Sequence, residues 1–161
     1  MADEFTKKRV AAFTIAIGRA LDRSAQDIRT TARAAILHDV DIDSIPFTDA
    51  SEIVAAQHES YDGTGFPKGL KGGEIPLGAR ILRVADALDA LLTGRPPLGG
   101  NVLPWVQSER HYHRKVSISE AKGQIQRASG TVFDPRIVNA FLGMPDGIWA
   151  DLIQHLPNLN E

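Results

Sequence analysis

The stretch "PLGARILRVADALDALLTG", residues 76–94, decides the fold class of this chain. Its apolar residues, among them Leu82, Leu88 and Leu91, lie on nearly every side of a helix, and such a helix is usually buried at the centre of a domain. Pro76 suits the first turn of a helix, and Gly94 suits its end. The sequence therefore predicts a buried central helix against which other helices pack.

Amphipathic patterns on both sides of this stretch predict the surrounding helices. Apolar residues recur at three- and four-residue steps over about residues 6–21, and Ser24 suits the N-cap of a second helix that ends near His38. Further helical segments are predicted over about residues 52–58, 105–115, 119–128, 135–142 and 145–155. Because strict two-residue alternation is rare, we predict an all-α bundle of about seven helices, with at most a small hairpin before Pro76.

Composition and charge narrow the possible functions. The chain has 161 residues, a net charge of −2 and no cysteine, which excludes disulfides and thiolate metal sites. The lack of a basic excess argues against a binder of nucleic-acid polymers. No apolar run reaches the length of a membrane span, and the charged start lacks the apolar core of a signal peptide. We expect one domain over residues 1–161, in a cytoplasmic protein or a cytoplasmic piece of a longer one.

A glycine-rich loop, "HESYDGTGFPKGLKGGEIP" at residues 58–76, leads into the central helix. Turn formation accounts for its glycines and prolines, since Gly63 and Gly65 permit positive φ or close backbone approach. Asp62 is expected to bond loop amides, as turn aspartates do. These roles leave the histidine and the acids at the head of the loop unexplained.

Three separate segments carry side chains that can bind a metal ion. His38 and Asp39 end the second helix, His58 begins the loop, and Asp86 interrupts the apolar central helix. Imidazole and carboxylate groups together suit transition metals. Each group also has an ordinary structural role: His38 and Asp39 can form a polar helix terminus, and Asp86 can pair with a nearby arginine. If the fold brings these segments together, their side chains form one polar pocket.

In this order along the chain, the motifs resemble the HD-GYP domain, a branch of the HD metal-dependent phosphohydrolases that hydrolyses cyclic di-GMP. The resemblance rests on "AAILHDVDID", on residues 57–96 and on "FDPRIVNAFL", and it covers roughly residues 4–143. It implies an HD-domain-like helical bundle with a long signature loop, in which Gly65-Phe66-Pro67 stands where the family usually has Gly-Tyr-Pro. It also implies that His58 faces the metals and that the loop shapes the pocket entrance.

Several positions depart from the HD-GYP pattern. In the first helix, "EFTKKRVAAF" aligns with the family's ligand-histidine segment, and Phe5 falls at or next to the ligand position. Val40-Asp41-Ile42 replaces the family's Ile-Gly-Lys, and the further ligand histidine expected before the loop is missing. Gln57 replaces the first histidine of the family's double histidine. The ligands that remain are His38, Asp39, His58 and Asp86.

These departures bear on catalysis. Two-metal sites hold ions about 3.5–4 Å apart, activate a bridging hydroxide and neutralise phosphoryl oxygens. The remaining ligands are expected to bind no ion, or one divalent ion weakly, with Fe, Mn, Ni and Zn as the options. We therefore predict a non-catalytic binding or regulatory module for cyclic di-GMP or a protein partner, in which His38 and Asp39 are vestiges of the catalytic pair. An active or weakly active phosphodiesterase is the alternative, and a purely structural or dimerisation domain is the third hypothesis.

The other candidate residues belong to the loop or lie close to it. As ligand or loop residues we mark Asp62, Gly63, Gly65, Phe66, Pro67, Lys68, Lys71, Arg80 and Arg95. Of these, the cations Lys68, Lys71, Arg80 and Arg95 can contact phosphates or an acidic partner, whereas Phe66 is expected to pack the loop. The lysines can equally be solvated, and the arginines can hold the loop in place. His111 and His113, in a locally basic segment, favour a solvated or partner-facing surface. The resemblance suggests diguanylate-cyclase domains, receiver domains or a second copy of the chain as partners.

Overall fold

The structure, a computed structural model, describes residues 3–95 and 114–156. Over these ranges the chain forms seven α-helices and no strand beyond isolated bridges, which confirms the all-α prediction. In chain order the helices are α1 Glu4–Ala20, α2 Ala25–Leu37, α3 Asp49–Ala55, α4 Leu77–Thr93, α5 Ile118–Arg127, α6 Pro135–Leu142 and α7 Asp146–His155. Short 3-10 helices, Ile42–Ser44 and Gly72–Glu74, lie in the two long loops. One antiparallel bridge, between Asp62 and Lys71, stands where a small hairpin was predicted.

Part of the sequence prediction concerns residues outside the described ranges. The helix predicted over residues 105–115 lies almost wholly outside the described residues, and so do His111 and His113. In the described ranges, no helix is long and apolar enough to cross a membrane.

Side-chain caps set the helix boundaries. The Ser24 hydroxyl accepts a hydrogen bond from the backbone N–H of Asp27 at 3.0 Å, as the sequence predicts. Thr48 forms a reciprocal capping box with Ser51, so α3 begins at residue 49 rather than near residue 52. Gly94 ends α4 in the left-handed region, with a φ of 73°, where a residue without Cβ is favoured.

Helix α4 lies at the centre of the bundle, as its apolar circumference predicts. Its side chains at Val84, Ala85 and Leu88 are fully buried, and the helix packs against α1, α2, α3, α5 and α6. Trp149 of α7 completes the core, with ring centroids 5.3 Å from Phe13 and 5.4 Å from Phe141. Burial of large apolar and aromatic side chains is the main favourable contribution to folding. Through Arg9 and Asp89, this packing brings the start of α1 to the C-terminal half of α4.

A buried ion pair joins α4 to α6. Nη1 of Arg80 donates to Oδ2 of Asp134 at 2.7 Å, and Nε of Arg80 donates to the backbone oxygen of Ile75 at 2.9 Å. The Asp134 carboxylate also caps α6 by accepting from the backbone N–H of Arg136 at 2.8 Å. A single guanidinium thus holds the end of the glycine-rich loop and the start of α6 against α4.

We predict that the free energy of unfolding depends less on pH in acid for Asp134→Asn than for the wild type. Burial acts to raise the pKa of the Asp134 carboxyl, but hydrogen bonds from Arg80 and Arg136 outweigh it, so that the pKa lies below the ordinary 3.8. A carboxyl whose pKa is lower in the folded state contributes stability above its unfolded-state pKa, and this contribution is lost as pH falls through its folded-state pKa.

The free energy of unfolding should therefore fall more steeply for the wild type than for Asp134→Asn between about pH 5 and pH 2. At neutral pH the variant should be less stable by about 2 kcal/mol, because it loses hydrogen bonds made to a charged group. Urea unfolding followed by circular dichroism at several pH values measures both effects. Parallel pH profiles for the two proteins would contradict the assignment.

Candidate functional site

Residues from three separate segments line one pocket. His38 and Asp39 follow α2, Gln57 and His58 follow α3, and Phe66-Pro67 belongs to the glycine-rich loop; together they border a cavity of about 620 Å³. The short helices α2 and α3 pack against each other, so their C-terminal ends lie side by side. The pocket therefore contains three of the side chains that the sequence marks as metal ligands.

His38 has the geometry of a ligand histidine. Its side chain is 4% exposed, and its Nδ1 lies within hydrogen-bond distance of the backbone oxygen of Ala35. Because a carbonyl oxygen only accepts, Nδ1 carries the proton and Nε2 carries the lone pair. Nε2 is buried and has no hydrogen-bond partner among the described residues. Metal-binding histidines are commonly held in this way, with one ring nitrogen on a carbonyl and the other free to coordinate.

His58 lies at the mouth of the pocket and stacks on the ring of Phe66, with centroids 5.1 Å apart and planes inclined at 27°. Its pKa is lowered first by burial and then by the charge of Arg83 and the proximity of His38, whereas Asp86 acts to raise it. These electrostatic effects place Asp86 near the pocket, although it does not border the cavity. The His58 imidazole is therefore neutral at neutral pH.

Cations of the chain itself neutralise both candidate carboxylates. Nζ of Lys7, on α1, lies 2.9 Å from Oδ1 of Asp39, whose side chain is 5% exposed. Nη2 of Arg95 lies 2.6 Å from Oδ1 of Asp86, and its Nε lies 2.8 Å from Oδ2 of Asp89. Each carboxylate thus already has a positively charged partner in a poorly solvated position.

The first helix presents Thr6, rather than Phe5, to the interior. Phe5 is 43% exposed, whereas Thr6 is 4% exposed and its hydroxyl accepts a hydrogen bond from Arg9 at 3.0 Å. Nε of Arg9 in turn donates to Oδ1 of Asp89 at 2.7 Å. The α1 residues that face the site are thus a threonine and two cations. None of these is among the side chains that bind transition metals in proteins.

These donors do not fit a multinuclear metal centre. Where the structure describes the chain, no group of three or more His, Cys, Asp or Glu side chains is arranged to hold an ion. Gln57 uses its amide nitrogen to donate to the backbone oxygen of His38 at 2.7 Å, so its amide supports the backbone. Among the described residues, the imidazole nitrogens without a hydrogen-bond partner are Nε2 of His38 and Nδ1 of His58, whereas Oδ1 of Asp39 and Oδ1 of Asp86 are in ion pairs.

The acids at the head of the loop hold its backbone. The buried carboxylate of Glu59 accepts hydrogen bonds from the backbone N–H groups of Lys68, at 2.7 Å, and Leu70, at 2.9 Å. Asp62 accepts from both the backbone N–H and the hydroxyl of Thr64. Sequence reasoning missed the role of Glu59. The sequence feature that could have revealed this role is a carboxylate beside a glycine-rich loop, because such a loop offers many backbone N–H donors within reach.

The loop cations and nearby arginines have different surroundings. Arg80 and Arg95 are engaged in the ion pairs described above, whereas Lys68 and Lys71 are exposed on the loop. Phe66 is 53% exposed at the pocket mouth. Phe66 borders the pocket and the two lysines do not, while the two arginines are held in ion pairs within the fold.

Sequence reasoning also missed the cations Lys7 and Arg83 as parts of the site. The arginines of α4 nearest in sequence to Asp86 are Arg80, which pairs with Asp134, and Arg83. The Nη1 and Nη2 atoms of Arg83 are directed at the Gln57 backbone oxygen, at 3.5 Å, and the Ser60 hydroxyl, at 3.4 Å. Asp86 is paired instead with Arg95, beyond the end of α4. The three-residue spacing of Arg83 and Asp86 places both side chains on one face of α4. This spacing is the sequence feature that could have predicted a cation close to the pocket.

Comparisons with known proteins agree with this geometry. Residues 34–103 match the model of a family described as HD domain. A probable cyclic di-GMP phosphodiesterase of Vibrio cholerae is 40% identical over 93 residues, which are 58% of this chain and 18% of that protein. A cyclic di-GMP phosphodiesterase of Thermotoga maritima is 36% identical over 92 residues, which are 57% of this chain and 21% of that protein. The matched region is thus about a fifth of the length of these relatives.

A solved structure of a cyclic GMP-AMP-specific phosphodiesterase of Vibrio cholerae has the same fold. It superposes with a TM-score of 0.66 and 17% identity over 96% of this chain and 48% of that chain. The matched region, which contains His38, Asp39, His58 and Asp86, resembles the HD domain, and the comparisons fit the HD superfamily and its HD-GYP branch. HD-domain families usually bind divalent metals.

We predict that Gly65→Ala disrupts the signature loop, whereas Gly73→Ala does not. A Cβ at residue 65 would overlap the backbone nitrogen of Ser60 and lie 2.6 Å from Cα of Glu59, and these backbone atoms have little freedom to move. Gly73 has no atom within 4 Å of the same position. Gly65→Ala should lower the free energy of unfolding by about 3 kcal/mol, and Gly73→Ala by less than about 0.5 kcal/mol. Equal denaturant midpoints would show that the loop is packed differently.

Proposed function

We propose that this chain, over residues 1–161, is one HD-GYP-like domain that acts as a non-catalytic binding or regulatory module in cyclic-dinucleotide signalling. Its ligand is cyclic di-GMP or a protein partner. The observation that carries the proposal is the pairing of the candidate metal carboxylates with cations of the chain: Asp39 with Lys7 at 2.9 Å and Asp86 with Arg95 at 2.6 Å. The nucleotide class comes from the two relatives, both of which are named as cyclic di-GMP phosphodiesterases.

The ion pairs bear directly on hydrolysis. Metal-assisted cleavage of a phosphodiester needs ions that generate a hydroxide and neutralise the phosphoryl oxygens. To bind an ion, Asp39 or Asp86 would have to leave its cation, and separating a poorly solvated ion pair leaves an uncompensated charge in a medium of low dielectric. The two available imidazoles do not offset that cost. His38 and Asp39 are then vestiges of a catalytic pair.

Ligand binding needs fewer functional groups than catalysis does, and three features of the pocket and its loop support it. A cavity of about 620 Å³ lies within the usual range of about 300–1,000 Å³ for small-molecule sites. Phe66 presents an exposed ring at the pocket on which a base can stack. Lys68 and Lys71, exposed on the same loop although they do not border the pocket, are the proposed phosphate contacts. Glu59 holds the loop backbone in place, so these groups are positioned before the ligand arrives.

A weakly active phosphodiesterase with one divalent ion is the second candidate function. The orientation of His38 favours it, because Nδ1 faces a carbonyl and Nε2 is buried without a partner in the described chain. His58, with its buried Nδ1, is the natural second ligand. Iron, manganese, nickel and zinc all accept imidazole nitrogen, and this donor set does not discriminate among them.

A protein partner is supported by an apolar patch beside the pocket. Phe47 is 87% exposed and Ile42 is 38% exposed, and both border a second cavity beneath the loop. Exposed aromatic and aliphatic side chains are typical of interaction surfaces. Diguanylate-cyclase domains, receiver domains or a second copy of the chain, in the cytoplasm, are the partners consistent with the proposed role.

Binding and hydrolysis of cyclic di-GMP test the proposal together. Isothermal titration calorimetry should detect binding to the wild type, and incubation with Mn²⁺ or Fe²⁺ should release no linear dinucleotide or mononucleotide. Phe66→Ala should weaken binding about tenfold or more, because a stacked base is lost. Phe47→Ala should leave the dissociation constant unchanged, since Phe47 does not border the pocket. Turnover that His38→Ala abolishes would overturn the non-catalytic assignment, and absence of binding would leave a protein partner as the ligand.

A further inference from the structure

We infer that Lys7 is the resident cation of this pocket: its ammonium group takes the place of a metal ion at Asp39, which makes the site independent of metal. This inference rests on the proposed function and deepens it, because it specifies how the pocket keeps its charge balance without the ions of its relatives. It assigns a role to a residue of α1 that no motif marks.

Helix packing explains why Lys7 reaches this position. Helices α1 and α2 lie side by side and are joined by a short turn, so the first turns of α1 meet the C-terminal end of α2. Lys7 lies near the start of α1 and Asp39 directly follows α2, which places Nζ 2.9 Å from Oδ1. The Lys7 side chain is 22% exposed, so its ammonium group is partly withdrawn from water. Lys7 does not border the cavity itself and meets the pocket through Asp39, which does.

The neighbouring charges are balanced in the same way. Arg95 bridges Asp86 and Asp89, and Arg9 makes a further bond to Asp89. Each carboxylate in this set has a cation of the chain within 3 Å. A divalent ion at Asp39 would lie next to the Lys7 ammonium and would have to displace it. Both the repulsion between like charges and the loss of the ion pair oppose metal binding.

The inference predicts that removing the lysine charge creates a metal site. Calorimetric titration with Mn²⁺ or Zn²⁺ alone should show weak or no binding to the wild type. Lys7→Met retains most of the aliphatic stem and should bind the ion at least about tenfold more tightly, because the ammonium charge no longer opposes a cation at Asp39 and His38. Lys8→Ala is the matched control: its ammonium pairs with Glu4 at 2.9 Å, and it should behave like the wild type.

Two further variants test whether the effect comes from the charge of Lys7 and needs the His38 imidazole. Lys7→Met combined with His38→Ala should lose the gain, since the released carboxylate needs the imidazole as its partner ligand. Lys7→Arg should behave like the wild type, because it keeps a positive charge at the same place. Circular dichroism and thermal unfolding confirm that each variant is folded. Tight binding of a metal ion by the wild type, or the same affinity in Lys7→Met, would overturn the inference.

Titration of the wild type with cyclic di-GMP separates this inference from the proposed function. Equal affinity in EDTA and in Mn²⁺ supports a metal-independent site. Binding that appears only with Mn²⁺ overturns the role of Lys7 but leaves a nucleotide-binding module standing. If the nucleotide binds in neither buffer, its assignment as the ligand fails, and the titrations with metal alone still decide the role of Lys7.

Discussion

A buried carboxylate on the central helix constrains the arrangement of the whole site. Asp89 is fully buried, and it accepts hydrogen bonds from Arg9 at 2.7 Å and from Arg95 at 2.8 Å. An isolated charge in such a position is very unfavourable, so both arginines must be present and oriented whenever the bundle is folded. This requirement brings the start of α1 and the segment after α4 to the same end of the bundle.

The orientation of α1 then determines the chemistry of the pocket. With Arg9 directed at Asp89, the preceding turn presents Thr6 to the interior and Lys7 to Asp39. The other arginine, Arg95, reaches Asp86. A network that stabilises the fold thereby places positive charge beside the carboxylates that the sequence marks as metal ligands. Such a scaffold can keep its pocket while its chemistry changes, because function depends on the side chains of the site rather than on the fold.

The signature loop is the second element that the fold holds rigidly. Glu59 binds two of its backbone N–H groups, and the absence of a side chain at Gly65 allows the backbone at residues 58–60 to pack directly against it. The loop therefore supports Phe66 on His58 at the pocket mouth. For the proposed ligand, a loop held in this way would favour binding, because a preformed pocket loses less conformational entropy on binding.

The sequence by itself determined which described segments are helical, the Ser24 cap and the buried position of α4, because periodicity and capping act over a few neighbouring residues. It also marked His38, Asp39 and His58, which the fold brings to one pocket. Only the tertiary structure decided that Thr6 faces inward instead of Phe5, that Arg95 pairs with Asp86, and that Lys7 meets Asp39. The physical reason is that charged partners on different segments are selected by helix packing and burial, which no local pattern records.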